Sequence, residues 1–255
     1  MNPGIQARSF LSAAQRRSLR DGVGIYVWHK VAPPPPRTRD PFEYSAPDRF
    51  REQLSALSAL GAQCHTPDEL GSKAGPLSGF VLTFDDGYGN VIENALPILS
   101  QFNLKAMLYV VAGMLGKTNL WDQAKGDVTE RLADAPQLRE WVAAGHQLGS
   151  HSLTHPNLRK ISLAAAREEI LRSRLTLEDT FGIPIRHFCY PYGAYSTAIR
   201  QLVEECGYAT ASTMKFGTHL PGECPFELVR ISPLSAGELA RKALRRVTRK
   251  LRLGR

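Results

Sequence analysis

The chain has 255 residues, 43% hydrophobic and 22% charged, with 32 Lys+Arg against 24 Asp+Glu and a formal net charge of +8. These fractions are ordinary for a soluble globular protein and exclude a disordered chain, a collagen-like chain and a polytopic membrane protein; the length suits one α/β barrel. The charge is local: Arg241, Lys242, Arg245, Arg246, Arg249, Lys250, Arg252 and Arg255 meet no acid between Leu239 and Arg255, so the first 238 residues are formally neutral.

In chain order, the N-terminal stretch never supplies the unbroken apolar core of a secretion signal, and no run approaches the ~18 apolar residues of a spanning helix. The expectation is a cytoplasmic protein without a signal peptide. Residues 23–29 form a short apolar run before four prolines, which reads as a buried strand and an extended connection. Apolar residues Phe50, Leu54, Leu57 and Leu60 recur at helical spacing over 48–60 after Pro47. A strand over 79–84 ends at Asp85-Asp86-Gly87, followed by a helix over 91–102 and a strand over 104–111. A polar loop carrying Trp121 and Asp122 leads to a helix near 137–144, and 147–151 is a fourth strand. Then come a long helix over 163–181, a strand over 187–190, a helix over 196–206, and strands over 208–212 and 227–231. Strands alternating with crossover-length helices predict a parallel sheet or barrel, with chemistry at the strand ends. The cysteines Cys64, Cys189, Cys206 and Cys224 form no C-x-x-C pair and read as free thiols.

Asp85 and Asp86 are adjacent carboxylates at a strand end, where one can bind a metal while the other handles a proton; an ordinary turn is the alternative. His151 and His155 stand four apart, and on a helical turn both imidazoles would share one face, able to bind a divalent ion; a surface loop is the alternative. Two histidines plus one carboxylate make a recurring catalytic metal set. Tyr190-Pro-Tyr-Gly193 closes the fifth strand, where a backbone N–H can be aimed at a developing oxyanion or the turn can simply end the strand.

Taken in order, Thr83-Phe-Asp-Asp-Gly87, His151-Ser-Leu-Thr-His155 and Phe188-Cys-Tyr-Pro-Tyr-Gly193 resemble the first three motifs of the polysaccharide deacetylase family, carbohydrate esterase family four. Residues 26–31, 50–54 and 145–149 resemble segments of its bacterial surface-glycan branch, so the likeness covers about residues 23–233. The resemblance implies a distorted (β/α) barrel of about seven parallel strands and a divalent metal, usually zinc. It implies Asp86, His151 and His155 as metal ligands, Asp85 as general base, and the backbone N–H of Tyr192 at the oxyanion. Two departures stand out. Cys189 occupies the place of an arginine that often orients the catalytic aspartate, and the late histidine that usually serves as general acid is missing. In a closed barrel the first strand lies beside the last, which makes His29 the candidate acid and His219 a weaker one. His65, His146 and His187 read as structural, and Tyr88, Trp121 and Tyr195 are candidate faces for a sugar ring.

Residues 1–238 are expected to form one catalytic domain. Residues 239–253 read as a cationic amphipathic helix, with Leu244, Val247 and Leu251 at helical spacing, suited to an anionic membrane; a solvated terminal helix is the alternative, and no nucleic acid is expected. The expected activity is metal-dependent removal of an N-acetyl group from an amino sugar of a surface glycan or a lipid-linked or soluble precursor, at the inner face of the membrane or in the cytoplasm. Competing readings are release of another small acyl group such as formyl, and a catalytically silent glycan-binding barrel.

Overall fold

The computed structural model describes residues 11–71 and 77–253. The first ten residues, where the expectation of no signal peptide begins, and the last two of the basic tail lie outside them. Eight strands follow in chain order: β1 Val23–Trp28, β2 Cys64–His65, β3 Gly79–Phe84, β4 Met107–Val110, β5 Gln147–Ser150, β6 His187–Cys189, β7 Thr210–Phe216 and β8 Leu228–Arg230. Seven lie in the order β1-β3-β4-β5-β6-β7-β8, every neighbouring pair parallel, and β2 adds to β3 beside them. The barrel closes where Ile231 N donates to Ile25 O at 2.7 Å and Val27 N to Ile231 O at 3.1 Å. The expected near-closed barrel of seven parallel strands is therefore present.

The nine described helices are α1 Ala13–Asp21, α2 Pro47–Ser58, α3 Pro67–Gly71, α4 Leu96–Gln101, α5 Leu120–Gln123, α6 Ala135–Ala143, α7 Leu163–Phe181, α8 Thr197–Glu205 and α9 Ala236–Leu253. Local chemistry sets several of their ends. Pro47 opens α2, where its missing N–H costs nothing, and Phe50, Leu54 and Leu57 bury one face. Ser162 caps α7, and Gly182 ends it in the left-handed conformation that a residue with a side chain would resist. All six residues of β1 and of β3 are buried, as strands covered on both faces require. Between them and the helices, Trp28, Phe50, Phe84 and Trp141 pack edge to face or tilted, with centroids 5.3–5.9 Å apart.

The differences from expectation have local causes. The expected helix over 91–102 opens with a wide turn, Val91–Ala95, before α4, whose first turn holds Pro97. The strand expected over 208–212 runs on as an exposed extension to Phe216. Helix α1 follows a capping box between Ser12 and Gln15 and was not anticipated. The basic tail begins three residues earlier than expected, as α9, and its first turns are fixed to the barrel: Arg49 pairs with the Glu238 carboxylate, Nη2 to Oε2 at 2.6 Å. Gln53 Nε2 also donates to Pro233 O at 2.8 Å. No described helix is long and apolar enough to cross a membrane.

Candidate active site

The ends of β3, β5 and β6 bring the motif residues to one rim, the end of a parallel barrel where sites form. There the backbone leaves its usual conformations. Asp86 (φ 72), Ser152 (φ 66), His155 (φ 64) and Tyr192 (φ 61) are all left-handed, and Asn103 is the one other non-glycine residue of this kind among the described residues. Each such residue costs on the order of 1–2 kcal/mol, so their concentration here marks a rim whose side-chain directions are imposed by surrounding structure. At Gly87 (φ 80) a Cβ would crowd Val110 Cγ1 at 3.0 Å in a backbone conformation that side chains resist, so glycine suits this turn.

Asp86, His151 and His155 converge. Asp86 Oδ1 lies 3.3 Å from His151 Nε2 and 3.2 Å from His155 Nε2, and all three side chains are buried. The expected helical turn is absent. His151 follows β5 directly, and an irregular loop with left-handed Ser152 and His155 turns the second imidazole onto the first, their ring centroids 4.8 Å apart. Ser152 Oγ accepts from His155 N at 3.0 Å. Glu169 of α7 clamps the same loop, accepting from Leu153 N at 3.0 Å, Thr154 N at 2.9 Å and Thr154 Oγ1 at 2.7 Å. The role of Glu169 in holding the histidine loop depends on the fold, which brings α7 beside the end of β5.

The donor set fits a divalent cation. His151 Nδ1 faces the Cys189 carbonyl at 2.8 Å; with the proton on that nitrogen, the Nε2 lone pair points at Asp86. His155 Nδ1 is buried without a hydrogen-bond partner, a cost that a ring fixed by ligation through its other nitrogen can carry. Three lone-pair donors facing one another need a positive charge between them. The two carboxylate-to-imidazole separations, 3.2 and 3.3 Å, match the ~3.3 Å edge of a tetrahedron with bonds of about 2.0 Å, and all three donor atoms lie within 4.8 Å of one another. Burial would raise the Asp86 pKa, but the two imidazoles facing it hold it well below the ordinary range. Burial would lower that of His151, but Cys189 and Asp86 outweigh it and push it up, so the carboxylate demands a positive charge at this ring, as a proton or as a cation. Burial lowers that of His155, favouring the neutral ligand form.

Asp85 stands beside this cradle but outside it. Arg230, at the end of β8, donates from Nη1 to Asp85 Oδ1 and from Nη2 to Oδ2, both at 2.7 Å, with 1% and 3% of the two side chains exposed. Burial alone would raise the Asp85 pKa; the charge and hydrogen bonds of Arg230 outweigh it and keep the carboxylate ionised. Arg230 is itself aimed by its Nε donating to Thr213 O at 2.7 Å, and Nη2 lies 3.3 Å from Cys189 Sγ. Cys189 therefore leaves room for a guanidinium arriving from another strand. This residue escaped the sequence reading, although an arginine inside the apolar run Leu228-Val-Arg-Ile231 is a signal of a buried ion pair. His29 Nε2 lies 4.0 Å from Asp85 Oδ2 with the ring part exposed, so the end of β1 does reach the site beside β8.

His29, Asp85, Asp86, His151 and His155 line a cavity of about 280 Å³ together with Glu43, Trp121, Asp122, Tyr190, Tyr192, Gly193, Met214 and Lys242. Trp121 lies tilted against His155 with centroids 4.3 Å apart, and Tyr192 meets the same ring edge-on at 4.6 Å. The other two proposed sugar platforms are elsewhere. Tyr88 has no exposed surface: the residue after the Asp-Asp-Gly turn points inward, its hydroxyl donating to Asp122 Oδ2 at 3.3 Å and Lys30 Nζ lying over its ring. Tyr195 is not part of the cavity wall; it stacks on Tyr190 and donates to Glu227 Oε2 at 2.6 Å. His219 pairs by its backbone with Val23 at the start of β1, far from the rim, and is no candidate acid. The buried Lys30, not singled out from sequence, joins Glu43 at 3.1 Å and Asp122 at 3.7 Å beneath the cavity wall.

With this geometry in hand, residues 74–211, more than half of the chain, match the polysaccharide deacetylase family. The chain is 26% identical over 195 residues to the putative polysaccharide deacetylase YxkH of Bacillus subtilis, covering 74% of this chain and 66% of that protein. It is 34% identical over 127 residues to the peptidoglycan-N-acetylglucosamine deacetylase PgdA of Listeria monocytogenes, covering 49% of this chain and 23% of that protein. The match thus spans less than two thirds of either relative. The fold is similar to that of IcaB from Ammonifex degensii (TM-score 0.73, 22% identity, 88% of this chain and 96% of that one). It is also similar to the Streptococcus pyogenes deacetylase PplD in complex with acetate (TM-score 0.70, 21% identity, 86% of this chain and 97% of that one).

Proposed function

Because the chain belongs to the polysaccharide deacetylase family, we propose that it is a divalent-metal-dependent hydrolase that removes the N-acetyl group from an amino sugar of a surface glycan or its precursor. The observation that carries this reading is the division of labour between adjacent carboxylates: Asp86 faces two histidine nitrogens while Asp85 is held by Arg230. One carboxylate is thereby committed to a cation and the other kept ionised for proton transfer.

Asp86, His151 and His155 would hold the cation, and a set of two imidazoles and one carboxylate with open positions suits zinc. Bound there, the ion supplies Lewis-acid polarisation of the acyl oxygen and acidifies a water. Asp85 takes a proton from the water that attacks the acyl carbon. The backbone N–H of Tyr192, in its left-handed turn, donates to the oxygen on which charge develops. His29 delivers a proton to the sugar nitrogen as the C–N bond breaks, so the products are acetate and a free amine. Trp121 and the Tyr192 ring offer faces to the sugar. In this reading the sugar is carried on a lipid-linked or soluble precursor at the inner face of a membrane, with residues 239–255 making the membrane contact.

The test is metal content and acetate release from N-acetylated glucosamine oligomers, comparing wild type with Asp85→Asn. The variant should keep its metal and lose turnover by at least ~10²-fold. Metal bound without acyl release by the wild type from any acetylated or formylated sugar would leave a binding barrel instead.

A further inference from the structure

The catalytic cavity opens beside an exposed surface of mixed apolar and cationic character. On the barrel, Tyr192 and Met214 line the cavity and are 43% and 45% exposed, and Phe216, which ends β7 two residues on, is 66% exposed. Helix α9 lies against the same mouth. Its Lys242 is part of the cavity wall, and the helix is fixed there by the Arg49–Glu238 pair, by Lys242 Nζ 3.4 Å from Asp40 Oδ2, and by the Arg245 guanidinium over the Phe42 ring. Leu239, Arg241 and Leu244 are exposed on it. The helix then continues to Leu253 through Arg246, Arg249, Lys250 and Arg252 without an acid. A helix at the mouth, rather than a free tail, gives Arg241, Lys242 and Arg245 a fixed relation to the cavity.

We infer that this rim, made of Phe216, Met214, Tyr192 and α9, is a docking surface for an anionic lipid bilayer, so that the cavity faces the membrane and takes its N-acylated sugar from a lipid-anchored glycan. The inference rests on the deacylase reading for its substrate but not for its surface. Large exposed aromatic and aliphatic side chains interspersed with arginine and lysine are what an interfacial site requires: the apolar groups enter the headgroup boundary and the cations draw the protein to it. Excess cation on one flank complements an anionic bilayer, whereas a second copy of the same surface would meet like charge. Lys242 then stands between bilayer and cavity, placed for the anionic group through which such a sugar is joined to its lipid.

The test uses the full chain with vesicles of phosphatidylcholine, alone or with phosphatidylglycerol. Sedimentation should require the anionic lipid and weaken with salt. Arg241→Glu should lower partitioning by about five-fold or more, since each cation near the surface contributes ~1 kcal/mol. Phe216→Ser should lower it while acetate release from a soluble N-acetylated oligomer stays at the wild-type rate. Equal sedimentation with and without phosphatidylglycerol overturns the inference. So does a concentration-dependent dimer that Phe216→Ser dissolves, which assigns the surface to a second copy. Vesicle binding without acyl release from any sugar leaves the surface standing and removes the deacylase reading instead.

Discussion

Arg230 and Asp85 stand 145 residues apart in sequence and meet through two parallel 2.7 Å hydrogen bonds at the closing seam of the barrel. The pair is fully buried, and an ionised carboxylate there is tolerable only because the guanidinium matches it fork to fork. Cys189 is small enough to leave the space open, and the guanidinium beside Asp85 comes from the last strand.

Replacing Arg230 by Met should therefore act on both stability and chemistry. An unpaired carboxylate in this position is expected to destabilise the fold by about 3–5 kcal/mol. In the wild type, Asp85 has a folded pKa depressed by Arg230, so it contributes stability above its unfolded pKa and loses it as pH falls through the folded one. Without Arg230, burial dominates and the carboxyl takes its proton at higher pH. The acidic limb of the pH–rate profile should then move towards neutrality, and Asp85→Asn with Arg230→Met should recover much of the lost stability. An unmoved limb in a folded Arg230→Met protein would count against Arg230 as the group that positions and charges Asp85.

Glu169 touches neither histidine, yet its carboxylate takes three hydrogen bonds from the loop between them. Glu169→Ala should lower metal affinity by about 10–100-fold, the usual effect of removing a group that orients ligands. Chelator competition measures this directly. Excess metal should restore turnover in this variant, whereas loss of turnover at full metal occupancy would place Glu169 in another role.

The motif chemistry was legible in the sequence because each motif keeps its own residues together, Asp85 next to Asp86 and His151 four residues from His155. The parallel barrel was legible because apolar runs alternate with helical periods. Long-range pairings were not: Arg230 with Asp85, Glu169 with the histidine loop, and Lys30 with Asp122 depend on which strands and helices become neighbours. Tyr88 shows the limit of placing a residue by its position near a strand end. Asp86 and Gly87 are both left-handed, and the Tyr88 ring that follows them is fully buried. The spacing of His151 and His155 suggested a helical turn, but a loop with two left-handed residues brings the rings together instead.

His29 offers a sharper test than loss of activity alone. As the group that protonates a leaving amine, it should matter in proportion to the basicity of that leaving group. His29→Ala should slow N-acetyl hydrolysis by about 10²-fold or more, at unchanged metal content, and slow release from a p-nitrophenyl acetate ester far less, since a nitrophenolate leaves without a proton. Equal loss on both substrates would fit a histidine that only braces Asp85, 4.0 Å away.

The docking of α9 should depend on pH through Glu238. Burial raises its pKa, but hydrogen bonds from Arg49 and Ser235 prevail and bring it down to about 2. A carboxylate depressed in the folded state stabilises above its unfolded pKa and ceases to do so as pH falls through the folded one. The hold on α9 should therefore be complete at neutral pH and weaken progressively as pH drops from about 4.5 towards 2. Amide exchange in α9, referenced to unstructured peptide at each pH, should show protection falling across that window. Arg49→Ala should lower protection already at neutral pH and flatten the dependence, because the carboxylate then has no cation to lose. Protection that falls in step with the barrel strands would instead mean that α9 opens only by global unfolding.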